Sequence, residues 1–159
     1  MNLWEMEKWR DYYRDKSYRK GLRIDFDKEV DPEVRRAIKE FASWLRMQYE
    51  FPKRVRMYVK SSRRIKARDG DQVCATCFLP YNRDEEPYIR VATGDFAERV
   101  VKRGADNALA EILWTVCHEL THYFQWLNDV KLSPIGEERQ ATNYANRIMD
   151  EYAGTREHP

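Results

Sequence analysis

The chain has 159 residues, 42% of them hydrophobic and 35% charged, with a formal net charge of +2. One domain is the expectation at this length, burying roughly two-thirds of its unfolded surface, and the near-balanced charge singles out neither a polyanion nor an anionic membrane as partner. No apolar run reaches the ~20 residues of a membrane span, and residues 1–10 lack the apolar stretch of a signal peptide, so a cytoplasmic protein without membrane contact is expected.

Residues 2–20, rich in Trp, Tyr and charge, read as a helix stopped by Gly21. Asp31-Pro32-Glu33 opens a second helix: Asp can cap, Pro suits the first turn and an acid suits the dipole. Val34, Ile38, Phe41 and Leu45 repeat at helical spacing until Phe51-Pro52. Residues 1–50 thus form a helical N-terminal part, ahead of a core over 53–152, within a single domain spanning 1–159. The five Trp and ten Tyr can supply core bulk or line a cleft.

From Arg54 to Lys60, Val55, Met57 and Val59 alternate with polar residues, as in a half-buried strand. Asp69-Gly70, between Ile65–Arg68 and Asp71–Leu79, reads as a hairpin turn. Lys53, Arg54, Arg56, Lys60, Arg63, Arg64, Lys66 and Arg68 form a basic stretch without an acid. Such a run reads first as the solvated face of a hairpin, and second as a phosphate-contacting surface for nucleic acid. Cys74-Ala75-Thr76-Cys77 has half the spacing of a zinc knuckle but no second C-x-x-C, and three cysteines make a poor disulfide framework. These two thiols and Cys117 therefore read as packing residues. Tyr88–Ala92 is a further short strand, and Gly94 and Gly104 bracket the run into the next helix.

In that helix Leu109, Leu113, Val116, Leu120, Tyr123 and Leu127 form one apolar stripe at 100° per residue. His118 and His122 fall on the opposite side, within the run His118-Glu119-Leu120-Thr121-His122. Two imidazoles at i and i+4 can hold one tetrahedral zinc ion, and Glu119 can reach a water on it as general base. A third ligand is still required. His158 lies next to the chain end. After the breakers Ser133-Pro134-Ile135-Gly136 a helical pattern begins near Glu137, and within it Glu138-Arg139-Gln140-Ala141 follows His122 by 16 residues. Ala141 and Ala145 would let two helices approach closely. Glu138 is preferred as third ligand on geometry and motif register together, with Glu137 as rival, rotated by about 100°.

His118-Glu119-Leu120-Thr121-His122 paired with Glu138-Arg139-Gln140-Ala141-Thr142-Asn143-Tyr144-Ala145 resembles the ImmA/IrrE metallopeptidase-like family, gluzincins whose third zinc ligand is a Glu. Glu138, Ala141, Tyr144 and Ala145 match the E-x-E-A-N-x-F-A-type register of that family, whereas Gln140 and Thr142 depart from it. The resemblance covers residues 86–152. It implies an α+β, zincin-like fold: a small twisted, mainly antiparallel sheet, a metal-binding helix and a Glu-bearing helix, here preceded by two N-terminal helices. It also implies that the strand Tyr88–Ala92 borders the cleft and receives a peptide on its free edge.

The expected function is zinc-dependent hydrolysis of peptide bonds in an intracellular protein target. Metal ligands are His118, His122 and Glu138, and Glu119 is the general base. The resemblance implies a dedicated target such as a repressor, in a phage, mobile-element or stress-response setting. Tyr88, Tyr144 and Arg90 are candidate oxyanion donors, none of them singled out. Two other functions compete: a zinc-binding regulatory module without useful proteolysis, and a nucleic-acid-associated protein using the basic stretch. A DNA-associated protease of the SprT type would need a third histidine at the metal, which this sequence does not place.

Overall fold

Asp31 accepts a hydrogen bond from the Glu33 N–H at 2.8 Å, and with Pro32 in the first turn this starts the helix α1, Pro32–Gln48. Its buried face is Val34, Ala37, Ile38, Phe41, Ala42 and Leu45, the helical periodicity written in the sequence. The computed structural model describes residues 2–15 and 18–159. In chain order the other elements are β1 (Leu22–Phe26), β2 (Val55–Lys60), β3 (Ile65–Lys66), β4 (Gln72–Val73), β5 (Ala75–Phe78), β6 (Tyr88–Ala92), α2 (Phe96–Arg103), α3 (Ala105–Leu127) and α4 (Pro134–Ala153). The fold is α+β, with a mixed four-stranded sheet in the order β1-β2-β6-β5.

The first 30 residues depart from expectation. The helix expected over 2–20 is replaced by two short 3-10 turns, Leu3–Glu5 and Lys8–Asp11; residues 16–17 of that span lie outside the described residues. One α-helix, not two, precedes the core, and the strand β1 between Gly21 and α1 was not anticipated. Trp and Tyr side chains govern this segment more than helical propensity does. Trp4 is buried against Phe124, with ring centroids 4.7 Å apart, and its Nε1 donates to Thr121 Oγ1 at 3.2 Å. Trp9 and Tyr13 are buried as well. About half of the dense aromatic content is buried core.

The sheet is also not mainly antiparallel. β1 pairs with β2, and β2 with β6, in parallel; only β5 runs antiparallel, against β6. The connection lengths explain this. A parallel neighbour needs a long crossover, which α1 supplies between β1 and β2, while the short loop after β5 returns the chain as a hairpin. Val55, Met57 and Val59 are buried as their alternation predicts, and so are Ile89 and Val91. Asp69-Gly70 does turn a hairpin, with Gly70 at φ +90°, where a Cβ is disfavoured, but only β3 and β4 pair across it; β5 has left for the main sheet.

α3 lies against the sheet and buries the whole expected stripe, together with Ala108, Ile112, Cys117 and Phe124. α4 begins at Ser133, whose Oγ accepts the Gly136 N–H at 3.1 Å, and packs on α3 through the buried Ala141, Ala145 and Ile148. Among the described residues no helix is long and apolar enough to cross a membrane.

Candidate metal centre

His118 and His122 sit one turn apart on α3, and Glu138 lies on the second turn of α4. Their contact follows from the small residues at the helix crossing: Ala141 and Ala145 are fully buried there, so the helix axes come close enough for a carboxylate to bridge them. His118 Nε2 is 3.0 Å from Glu138 Oε2, and His122 Nε2 is 3.0 Å from Glu138 Oε1. One donor atom from each of the three residues lies within 4.8 Å of the others. Both imidazoles are largely buried, at 15% and 13% side-chain exposure, whereas Glu138 retains 64% and forms the solvent side of the cluster. Glu137 stays outside the cluster; its carbonyl accepts from Gln125 Nε2 at 3.0 Å.

The hydrogen bonds around His122 fix its chemistry. Its Nδ1 faces Gln125 Oε1 at 2.8 Å, and the Gln125 amide nitrogen is committed to the Glu137 carbonyl and to Gln140 Oε1, each at 3.0 Å. Gln125 therefore presents an acceptor, so Nδ1 carries the proton and the Nε2 lone pair points into the cluster. Gln140, one of the two positions at which the sequence departs from the family it resembles, is part of this brace. The signal for Gln125 was its i+3 spacing from His122; that for Gln140 could not be read before the helices were paired. The buried Nδ1 of His118 has no comparable partner. Burial, with repulsion from His122, holds the His118 pKa below the usual imidazole value against the pull of Glu138.

Glu119 follows His118 on α3, within electrostatic reach of His122, of Glu138 and of Cys77 on β5. Burial pushes its pKa up to about 7, with Glu138 adding to the rise and His122 opposing it. Burial likewise pushes the Cys77 thiol up, reinforced by the negative charge of Glu119, which places this cysteine of β5 beside the carboxylate. All three cysteines are free thiols.

The strand bordering the site is β5, not Tyr88–Ala92. β6 is hydrogen-bonded on both sides, by β2 and β5, and has no free edge to offer. The Ala92 N–H donates to the Cys74 carbonyl at 2.8 Å, which makes 74/92, 76/90 and 78/88 the hydrogen-bonded pairs of the ladder. The main-chain groups of Ala75 and Cys77 therefore face outward along the open edge. Upstream of His118 the same face of α3 continues as a cleft of about 1210 Å³ that includes Trp114, Thr115, Glu111 and Asn146. The Trp114 ring lies 5.2 Å from that of His118, and its Nε1 donates to Asn146 Oδ1 at 2.8 Å.

Of the three candidate oxyanion donors, Arg90 is engaged, donating to Thr76 Oγ1 and the Lys66 carbonyl. Tyr144 Oη accepts from the Leu3 N–H at 2.9 Å and keeps its own proton to donate, and the Tyr88 ring stacks on Phe78. His158 pairs with Asp106 at 2.6 Å, away from the cluster. Much of the basic stretch 53–68 is consumed internally. Arg56 faces Asp25, Lys60 faces Asp27, Arg63 faces Glu98 and Arg64 faces Asp95, while Lys53 is buried with its Nζ on the Asp84 carbonyl.

Comparison with family models, with curated proteins and with solved structures returned no match to this chain.

Proposed function

We propose that the protein is a zinc-dependent metallopeptidase acting on an intracellular protein. The observation that carries this reading is the convergence of the two Nε2 atoms and the Glu138 carboxylate, with the half-buried carboxylate of Glu119 within electrostatic reach of His122 and Glu138. Two neutral imidazoles and one carboxylate are a donor set that suits zinc while leaving a fourth position open. The fit extends outward: the Gln125 brace leaves the His122 lone pair pointing inward. His118, His122 and Glu138 would hold the ion, which when bound polarises a carbonyl and acidifies water.

The remaining chemistry belongs to the chain. Glu119 accepts a proton from water as it attacks the substrate carbonyl, then returns it to the departing amine at the same carboxylate. Its burial keeps it basic enough to do so near neutrality. The outward N–H and C=O groups of Ala75 and Cys77 hold an extended substrate as an added strand beside Glu119. The cleft past Trp114 takes the chain onward.

Zinc content by elemental mass spectrometry, on wild type and on Glu138→Ala purified without added metal, is the first test. About one zinc per wild-type chain and a weakened site in the variant are expected; no metal after zinc addition would remove the proposal. Glu119→Gln then separates an enzyme from a binding module, because it keeps metal and loses cleavage only in the former.

A further inference from the structure

The opposite edge of the sheet carries cations that, among the described residues, no carboxylate pairs with. The Val55 N–H donates to the Gly21 carbonyl at 3.0 Å, and the Asp27 N–H to the Val59 carbonyl at 2.9 Å. Odd-numbered residues of β1 thus face β2, and the main-chain groups of Leu22, Ile24 and Phe26 face away from the sheet. Between this edge and α1 runs a groove of about 480 Å³ lined by Arg23, Ile24, Phe26, Arg35, Lys39 and Arg46, with Ala42 and Ser43. No carboxylate lines it. Among the described residues none of the four cations has a carboxylate partner: Arg46 donates to the Leu22 carbonyl at 2.7 Å, Arg35 to the Asp27 carbonyl at 3.1 Å, and Lys39 lies over the Phe26 ring. The acids nearest in sequence are taken, Asp25 by Arg56 and Asp27 by Lys60. A second depression continues along the edge past Arg23 and Arg46 to Lys20 and Glu50.

We propose that the β1 edge and α1 form a docking groove for an acidic, extended polypeptide segment. The strand edge offers Ile24 and Phe26 main-chain donors and acceptors, which a peptide backbone matches and a phosphodiester does not. The only aromatic ring lining the groove, Phe26, is already covered by Arg35 at 4.9 Å and Lys39 at 5.9 Å, which leaves it unavailable for stacking a nucleobase. Arg35, Lys39 and Arg46 recur at i, i+4 and i+11 along α1 and so lie along one side of the bound segment. Acids at alternate positions of that segment would meet them. The groove lies three strands from β5, about 14 Å across the sheet, and binds independently of any metal chemistry.

The test is fluorescence polarisation of the full chain with a short fluorescein-labelled peptide alternating Glu with Thr, at low and raised salt. Binding is expected that weakens with salt. It should also fall by about tenfold or more, or ~1.4 kcal/mol, in Arg23→Glu/Lys39→Glu, both exposed and, among the described residues, without polar partners. The same peptide N-methylated at alternate residues should bind comparably weakly, because strand addition is blocked. No binding at low salt, binding indifferent to the double charge reversal, or tighter binding of a single-stranded oligonucleotide than of the peptide would each overturn the proposal. Zinc content and turnover in the double variant should stay at wild-type levels, keeping this result separate from that of the metal site.

Discussion

The two edges of the sheet are made of short strands of similar length, yet they expose different chemistry. β5 runs antiparallel, lies beside α3, and carries Cys77 within electrostatic reach of Glu119. β1 runs parallel, lies beside α1, and sets its outward groups among four cations that, among the described residues, no carboxylate neutralises. The difference arises from what packs on each edge. α3 brings buried titratable groups, whose desolvation alters their proton affinity; α1 brings long exposed side chains whose charge stays solvated. In the functions proposed above, the first edge serves bond-breaking and the second serves recognition.

The largest expected effect breaks the comparison at the β5 edge. Glu119→Gln should lower peptide turnover by about 10²–10⁴-fold with metal content unchanged, as read by a protease assay beside elemental analysis. Equal activity in the variant would strip this edge of its catalytic assignment. Gln125→Ala removes the acceptor that orients His122, and zinc affinity should fall about 10–100-fold in a chelator competition. Because His118 has no such brace, the loss should be confined to the His122 arm.

Gly94→Ala tests the joint between the edges. A Cβ there would lie 2.5 Å from the Ser61 carbonyl oxygen and 2.7 Å from the Arg63 nitrogen, where the turn after β2 crosses the turn after β6. Thermal unfolding should show a loss of about 1–3 kcal/mol. Ala75→Pro sharpens the comparison at smaller scale. Proline removes an N–H that faces the open edge, so the fold should survive while kcat/KM falls by about tenfold, or ~1.4 kcal/mol. The same change at Val91, inside the sheet, should unfold the protein.

The smallest effect lies at the end of β1. Asp27 accepts from the Ser61 N–H at 2.9 Å, and that bond, aided by Lys60, holds its carboxyl below the ordinary aspartate range. Its folded pKa is depressed, so its contribution is present above the unfolded value and fades as pH falls through the folded one. Asp27→Ala should cost about 1 kcal/mol at neutral pH, in chemical denaturation, and the gap to wild type should close in acid.

How much was legible follows from the range of the interactions. Asp31-Pro32 and the apolar repeat of α1, the alternation of β2, the turn at Asp69-Gly70 and the stripe of α3 are local patterns, and the sequence alone placed each of them. His118, Glu119 and His122 share one helix, so their spacing decided their mutual geometry. Glu138 was reachable because a helix start, two alanines and the motif register together marked it. Beyond that range the reading lost ground. β1 is five residues long with a half-polar pattern and makes sense only once β2 is beside it. The 3-10 turns at residues 3–11 are set by Trp4 and Trp9 finding α3, against a composition that favours helix.

Strand direction was decided by the connections: β1–β2 and β2–β6 are joined by long crossovers, the first through α1 and the second through β3, β4 and β5, while β5 and β6 are joined by a shorter loop. The bordering strand was decided by which neighbour β6 acquired. The Gln125–Gln140 brace and the unneutralised groove beside β1 are likewise properties of packed pairs. Composition and periodicity determined α1, β2, α3 and the spacing of the candidate ligands on α3, because backbone hydrogen bonding and side-chain period act within a few residues. Only the tertiary structure decided which edge is open, which charge is spent and which carboxylate is buried, because those depend on contacts between residues far apart in the chain.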